Sequence, residues 1–282
     1  MYPKLFGIEF LNMYGLSIGV GVILCLAFLR FACKRLNIPS KFEDFVEYNA
    51  IISVAMGVLS GMLFQSFYNW LAALETNPDA KFEFSFSGIT FLGGLIGGVV
   101  TFLLIYFLFG RKRYGAYLMR LLPIAACCIL VAHAFGRLGC LFAGCCYGEV
   151  TDSFIGIIYP SSAGLGTAPR WPVPIFESMF LFMTFGVCAY LTVIKKYKYS
   201  MNIYLIAYGV FRFLIEFIRG DERGDFIKGL PLYPSQVWSI VMVLLGVAMY
   251  FVMPYVIKKL NIDFDPKVEE ESQENVIEEQ TV

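Results

Sequence analysis

The 282-residue sequence has little charge and a single histidine. Charged residues make up 16% of the chain, against about 25% in soluble proteins, whereas 58% of its residues are hydrophobic. The 22 basic and 22 acidic residues cancel, and no basic stripe marks a nucleic-acid-binding surface. These deficits exclude a nucleic-acid partner and an ordinary soluble domain. They indicate a protein that crosses a membrane several times.

Apolar segments long enough to cross a bilayer core of about 30 Å occur throughout the chain. The predicted spans are 14–33, 48–72, 88–110, 118–135, 174–194, 201–218 and 235–257. The sequence therefore predicts an all-α integral membrane protein, a bundle of about seven transmembrane helices. This transmembrane domain is expected over 1–260, followed by an acidic tail over 261–282 that is expected to be disordered.

Lysine and arginine are unequally distributed among the loops. The loops after spans 1, 3, 5 and 7 are basic, with Lys34, Arg35 and Lys41, then Arg111, Lys112 and Arg113, then Lys195, Lys196 and Lys198, then Lys258 and Lys259. The alternate loops are poorer in both residue types. Because basic loops stay in the cytoplasm, the amino terminus is expected outside and the acidic tail inside the cell.

Span 6 contains ionisable residues at helical spacing. Arg212, Glu216 and Arg219 fall on one face of an ideal helix. A charge at the bilayer centre costs roughly 2.5–3.5 kcal/mol, so it is retained for a purpose. One interpretation is a structural ion pair between helices. We favour a cationic site for an anionic lipid headgroup, because two arginines and one glutamate leave a surplus positive charge.

Two other motifs allow structural interpretations. Glu177 follows two prolines at the start of span 5, where a carboxylate is expected to be the partner of an arginine. The glycines of the stretch 91–98 predict close helix packing. They also permit a broken helix whose free amides bind a phosphate.

The segment 133–148 combines glycines, Arg137 and three cysteines directly after span 4. An arginine between glycines at the membrane edge is typical of an anion-binding turn, and the alternative is an arginine that extends to the interface. The cysteines are expected to pack as small apolar residues. A disulfide or a zinc site with His133 are alternatives, but the spacing of Cys140, Cys145 and Cys146 fits no zinc finger. No metal or cofactor is therefore expected.

These motifs and their order resemble the prolipoprotein diacylglyceryl transferase family over nearly the whole chain. The matching segments are Tyr14-Gly15, LGGLIG (92–97), GRLGCLFAGCCYG (136–148), PIFES (174–178), YGVFRFLIEFIR (208–219) and Gln236. The sequence departs from the family pattern at six positions. Leu92 stands where the family has His, Cys140 where it has Asn, and Cys145 where it has Glu. Met62 stands where the family has Arg, Trp171 where it has His, and Pro174 where it has Gln. The missing histidine puts a base-assisted mechanism in question.

The resemblance implies an enzyme of the bacterial cytoplasmic membrane. It would transfer the diacylglyceryl group of phosphatidylglycerol to the lipobox cysteine of a prelipoprotein, forming a thioether and releasing glycerol-1-phosphate. The implied catalytic residues are Arg137, Arg212, Tyr14 and Glu216. The implied lipid-binding residues are Arg137, Arg212, Arg219, Gly93, Gly94, Gly136, Gly148, Glu177 and Gln236. The alternative is a relative that binds or transports lipid without catalysis.

Overall fold

The computed structural model describes residues 13–85, 88, 90–115, 117–159, 163–221, 232–259 and 262. Within these ranges the helices are α1 (Met13–Arg35), α2 (Ser40–Thr76), α3 (Phe91–Ile105), α4 (Arg111–Tyr114), α5 (Tyr117–Ala143), α6 (Val173–Val193), α7 (Ser200–Ile215) and α8 (Pro234–Lys259). A π-helical turn, Tyr106–Gly110, joins α3 to α4, and a 3₁₀ turn, Glu216–Ile218, follows α7. The predicted acidic tail lies outside the described residues except for Ile262.

Among the described residues, seven helices are long and apolar enough to cross a membrane. This confirms the predicted fold class and the number of spans. Two helices are longer than predicted: α2 begins at Ser40 and ends at Thr76 instead of covering 48–72, and α5 continues to Ala143 instead of ending at residue 135. Arg137 therefore lies inside a helix, and the predicted anion-binding turn around it is wrong. Its charge is tolerated there because a carboxylate of α6 pairs with it.

The chain divides into two compact units, Ile38–Leu118 and the remainder. In the smaller unit, α2 and α3 pack closely through glycines. A Cβ atom at Gly57 would lie 2.9 Å from the carbonyl oxygen of Gly94, and the Ser60 hydroxyl donates to the Gly93 carbonyl over 2.9 Å. Because α3 is continuous from residue 91 to 105, the broken-helix alternative is wrong and the packing interpretation is confirmed.

The larger unit contains α1, α5, α6, α7 and α8. Its buried core joins α5, α6 and α7 through Ala126, Cys127, Leu130, Ala134, Leu181, Cys188, Tyr204 and Tyr208. On the far side of α7, the Asn202 amide donates to the Gly246 carbonyl of α8 over 2.8 Å. This packing brings the carboxyl-terminal ends of α5 and α7 together with the amino-terminal end of α6, each with ionisable side chains.

Candidate active site

Glu177 is the centre of a buried charged cluster and is fully inaccessible to solvent. It stands in the second turn of α6, which begins with Pro174 in its first turn, a position that proline favours. One carboxylate oxygen of Glu177 lies 3.2 Å from Nε of Arg137, and the other lies 3.6 Å from Nε of Arg212. The prediction that Glu177 pairs with arginine is thus confirmed, with partners on both α5 and α7.

Tyr208 extends this cluster toward the only histidine. Its hydroxyl donates to Glu177 over 3.2 Å and accepts from Nη2 of Arg137 over 3.3 Å. The His133 ring packs edge-on against the Tyr208 ring at 4.6 Å, and Nδ1 of His133 lies 3.5 Å from the Tyr204 hydroxyl. His133 therefore belongs to the aromatic wall behind the ion pairs.

The end of α7 adds a second set of ion pairs. Arg212 donates to Glu216, four residues later, as its helical spacing predicts. Arg219 lies after the 3₁₀ turn in an extended conformation, with Nε 3.8 Å from Glu216. It also donates two parallel hydrogen bonds of 2.8 Å to Asp221. This fork-to-fork arrangement fixes the Arg219 guanidinium.

The cluster carries no surplus positive charge when its described members are counted together. Three arginines face three carboxylates, and these residues are Arg137, Arg212, Arg219, Glu177, Glu216 and Asp221. The surplus positive charge inferred from span 6 alone is therefore wrong. Two further carboxylates balance it, Glu177 from α6 and Asp221 from the loop that follows α7. An anion must therefore bind to the N–H groups that the carboxylates leave free, since each guanidinium has five donors.

The three arginines differ in their exposure. The Arg137 side chain is 17% exposed, compared with 7% for Arg212 and 2% for Arg219. A Cβ atom on the preceding Gly136 would meet no heavy atom within 4 Å, so α5 is not packed against a neighbour at that position. Arg137 is therefore the guanidinium most accessible to a ligand, and the other two are held by carboxylates behind it.

Backbone pairing in the loops holds Arg219 in place. Residues Gly148 and Arg219 form an isolated antiparallel bridge, and the Gly148 amide donates to the Trp171 carbonyl over 3.0 Å. Burial lowers the pKa of the Arg219 guanidinium, but hydrogen bonding to Asp221 and the nearby negative charges together outweigh it and raise that pKa overall. Gly148 thus connects the loop after α5 to the charged cluster.

Three cysteine thiols converge at the end of α5. The Gly144 amide donates to Leu141, the Cys145 amide donates to Cys140, and Gly144 has a φ of 74°. These features define a Schellman motif, which places the side chain of Cys145 against that of Cys140. Cys146 follows with a φ of 60°, rare for a residue with a side chain. The three sulfur atoms all lie within 4.8 Å of one another.

The thiols lie next to the charged cluster. Nη1 of Arg137 lies 3.9 Å from the Cys146 sulfur. Hydrogen bonds from the Cys140 and Cys145 thiols lower the pKa of Cys146, and the positive charges of Arg219 and Arg137 lower it further. Hydrogen bonding to Cys140 lowers the pKa of Cys145, but hydrogen bonding to Cys146 and burial outweigh it and raise that pKa to about 11. These surroundings thus favour the thiolate form of Cys146 over that of Cys145.

Of the remaining residues from the sequence analysis, Tyr14 is within electrostatic reach of Arg137 and the three cysteines, whereas Gly93 and Gly94 lie in the smaller unit. The Tyr14 ring of α1 lies against Gly139 of α5 and is 39% exposed. The Gln236 side chain accepts from the Tyr233 amide at the start of α8. Gly93 and Gly94 belong to the smaller unit, where they pack on α2. Leu92 lies in the first turn of α3, and its side chain is outside the described part of the chain.

Sequence reasoning missed two members of the cluster. Tyr208 stands four residues before Arg212 on the same face of α7, so helical spacing was a sufficient signal. Asp221 follows Arg219 by two residues, and this spacing alone does not indicate a bidentate pair.

Comparison with known proteins is consistent with this geometry. Residues 3–252 match the family model for prolipoprotein diacylglyceryl transferase. The chain is 32% identical to phosphatidylglycerol–prolipoprotein diacylglyceryl transferase 2 of Clostridium perfringens, over 88% of this chain and 92% of that protein. It is 28% identical to the phosphatidylglycerol–prolipoprotein diacylglyceryl transferase of Clostridium tetani, over 88% and 94%. The corresponding protein of Dehalococcoides mccartyi is 30% identical, over 84% and 87%.

Proposed function

The chain belongs to the prolipoprotein diacylglyceryl transferase family, and we propose that it transfers the diacylglyceryl group of phosphatidylglycerol to the lipobox cysteine of prelipoproteins. The acceptor sulfur forms a bond to the glycerol carbon, and the bond from that carbon to the phosphate oxygen breaks. Glycerol-1-phosphate leaves with the electron pair. The observation that carries the proposal is the arginine cluster around Glu177 inside the transmembrane helices.

The reaction needs positive charge at the leaving group. A phosphate diester has one negative charge, and the departing monoester gains most of a second. Donors that are already fixed in place stabilise this developing charge without reorganisation. Arg137 combines exposure with a fixed orientation, since Glu177 holds its Nε and Tyr208 contacts its Nη2. It is the residue that we assign to the donor phosphate.

Arg212 is assigned to the same phosphate through the N–H groups that its carboxylate partners leave free, since a guanidinium has five donors. Glu216 and Glu177 orient it. Tyr14 donates to the headgroup, and Arg219 is auxiliary. The contributions of Gly93, Gly94, Gly136, Gly148 and Gln236 to lipid binding stay predictions from the family resemblance. The positive charge of the nearby arginines lowers the pKa of the acceptor thiol from its ordinary value of about 8.5, so part of it releases its proton to water and becomes thiolate.

The proposed site of action is the outer face of the bacterial cytoplasmic membrane. The distribution of lysine and arginine supports an outside amino terminus and a cytoplasmic carboxyl terminus. A reporter fused after Val282 should be active only if it works in the cytoplasm. Activity of an export-dependent reporter at that position would overturn the orientation.

The direct test is reconstitution of the purified full chain in phosphatidylglycerol vesicles with a lipobox peptide. We expect release of glycerol phosphate and a matching gain of diacylglyceryl mass on the peptide. A peptide with serine in place of the cysteine controls for acceptor chemistry. Binding of phosphatidylglycerol without release of glycerol phosphate would favour the non-catalytic alternative.

A further inference from the structure

The cluster of Cys140, Cys145 and Cys146 is not explained by the proposed reaction or by packing. Of the eight cysteines, Cys33, Cys127, Cys128 and Cys188 are buried in helices, as small apolar residues are. The cluster is different, because Cys145 is exposed and the other two are partly exposed. Packing does not require three thiols to converge at a partly exposed position.

Two backbone features force this convergence. The Schellman motif at Gly144 returns the chain toward the last turn of α5 and places Cys145 beside Cys140. The left-handed conformation of Cys146 then turns the third sulfur toward the same point. A strained residue persists only where its surroundings hold it, and such residues concentrate at functional sites.

The sulfur positions suit a metal ion. Zinc–sulfur bonds of about 2.3 Å place the sulfur atoms of a tetrahedral site about 3.8 Å apart, so sulfurs within 4.8 Å need only a small contraction. Among the described residues, no histidine or carboxylate joins this group. A ligand set made only of sulfur selects zinc or another thiophilic ion over magnesium or calcium.

The surrounding charge is complementary to such a site. Three thiolates and one divalent ion carry one net negative charge, and the Arg137 guanidinium donates toward the Cys146 sulfur from 3.9 Å. Hydrogen bonds to ligand atoms orient them and tune the metal. Three protein ligands with a fourth position open are typical of catalytic zinc, whereas structural zinc has four.

We propose that Cys140, Cys145 and Cys146 bind one zinc ion through three thiolates and leave a fourth coordination position for the acceptor cysteine thiol. This second part rests on the proposed function. On binding, the acceptor thiol loses its proton to water, since a thiol that coordinates a metal is deprotonated. Its sulfur then bonds to the glycerol carbon while the carbon–oxygen bond to phosphate breaks, and the phosphate keeps that electron pair. The neutral thioether is a weaker ligand than the thiolate and dissociates.

Metal binding is tested without reference to activity. The full chain is purified in detergent under reducing conditions, stripped with a chelator and reloaded with zinc, or with cobalt as a spectroscopic substitute. We expect one equivalent of zinc and a thiolate-to-cobalt charge-transfer band. Cys140→Ser, Cys145→Ser and Cys146→Ser should each weaken both, while Cys25→Ser, a matched control in α1, should not. Cys145 is exposed, so Cys145→Ser should fold normally.

Two results would overturn the metal site. One is zinc uptake by the parent chain no greater than that of Cys145→Ser. The other is a pair of cluster thiols that reacts with alkylating reagents only after reduction, which would indicate a disulfide, with its sulfurs about 2.05 Å apart.

Binding of the acceptor thiol to the metal is tested by a separate measurement. A lipobox peptide should shift the cobalt spectrum, and its serine counterpart should not. Stripping the metal should lower the transfer rate at least about a hundredfold, the lower end of what a positioned base contributes. Full activity of the stripped protein would overturn the inference and leave the proposed function intact. A zinc-loaded protein that responds to the peptide but transfers nothing would support the metal site and refute the proposed function.

Discussion

The two compact units join their helices by opposite means. In the smaller unit, α2 and α3 approach until the backbones touch at Gly57 and Gly94, and no charge takes part in this contact. In the larger unit, α5, α6 and α7 meet around Glu177, a fully buried carboxylate that contacts arginines on the other two helices.

The difference between the two units indicates which contacts serve helix packing and which serve another purpose. Glycine contacts can associate helices in a bilayer, and α2 and α3 of the smaller unit pack in this way. Buried charges are costly, and an apolar replacement of a buried ion pair is often neutral or stabilising. Because the chain also packs through glycine, we propose that it retains six charged groups around one point for chemistry.

The largest effect is expected for Glu177→Gln. The substitution keeps the shape of the side chain but removes the negative charge between Arg137 and Arg212. Breaking a buried pair typically costs about 3–5 kcal/mol, because the remaining charge stays uncompensated. We expect a loss of this size in the free energy of unfolding in detergent, with no detectable transfer activity.

The adjacent Ser178 provides the matched control. It is equally buried, and its hydroxyl has no hydrogen-bond partner among the described atoms. Ser178→Ala should be neutral or slightly stabilising. Equal stability of Glu177→Gln and Ser178→Ala would show that the cluster does not hold the helices together, and the contrast between the units would fail.

Arg137→Lys is expected to lower the transfer rate on the order of 10²–10³-fold, the usual cost of one lost transition-state donor. Lysine keeps the charge but not the planar fork that binds two phosphate oxygens. Arg212→Lys should lower the rate and the stability together, since Arg212 contacts two carboxylates. Arg35→Lys, at the end of α1 against Phe31, is the control and should leave the rate unchanged. A parental rate for Arg137→Lys would mean that charge alone suffices.

The sequence was sufficient to predict the fold but only half of the site. Apolar runs locate the spans because a helix that crosses the hydrocarbon core of a bilayer needs about 20 apolar residues. The pair of Arg212 and Glu216 was predictable because the two residues lie one helical turn apart. The extent of α5 was missed because Arg137 lowers the local hydropathy, and its partner Glu177 lies forty residues away in sequence. A zinc site or a disulfide of the three cysteines was only an alternative to packing, although Gly144 after an apolar helix signals a motif that joins residues five apart.

Gly57→Ala tests the packing side of the comparison. The new methyl group would lie 2.9 Å from a backbone oxygen of α3, so the helices must separate. Overpacking of this kind typically costs about 1–3 kcal/mol. We expect such a loss of stability with the activity of each folded molecule unchanged. Gly186→Ala, where a Cβ atom meets nothing within 4 Å, is the control. If activity falls while stability is retained, the glycine contact serves substrate binding rather than packing.

The smallest effect is expected for His133→Gln. His133 packs on Tyr208 and lies 3.5 Å from the Tyr204 hydroxyl, so its contacts are those of a structural group behind the ion pairs. The side-chain amide of glutamine, like the imidazole, can either accept from or donate to the Tyr204 hydroxyl, so the transfer rate should stay within about tenfold of the parent. A positioned general base contributes about 10²–10⁴-fold, so the two roles give separable results. Tyr204→Phe removes the hydroxyl that His133 contacts and measures the purely structural part. A hundredfold loss in His133→Gln, with Tyr204→Phe unaffected, would make the histidine a base. The catalytic site would then extend from the charged cluster to His133 and the aromatic rings beside it.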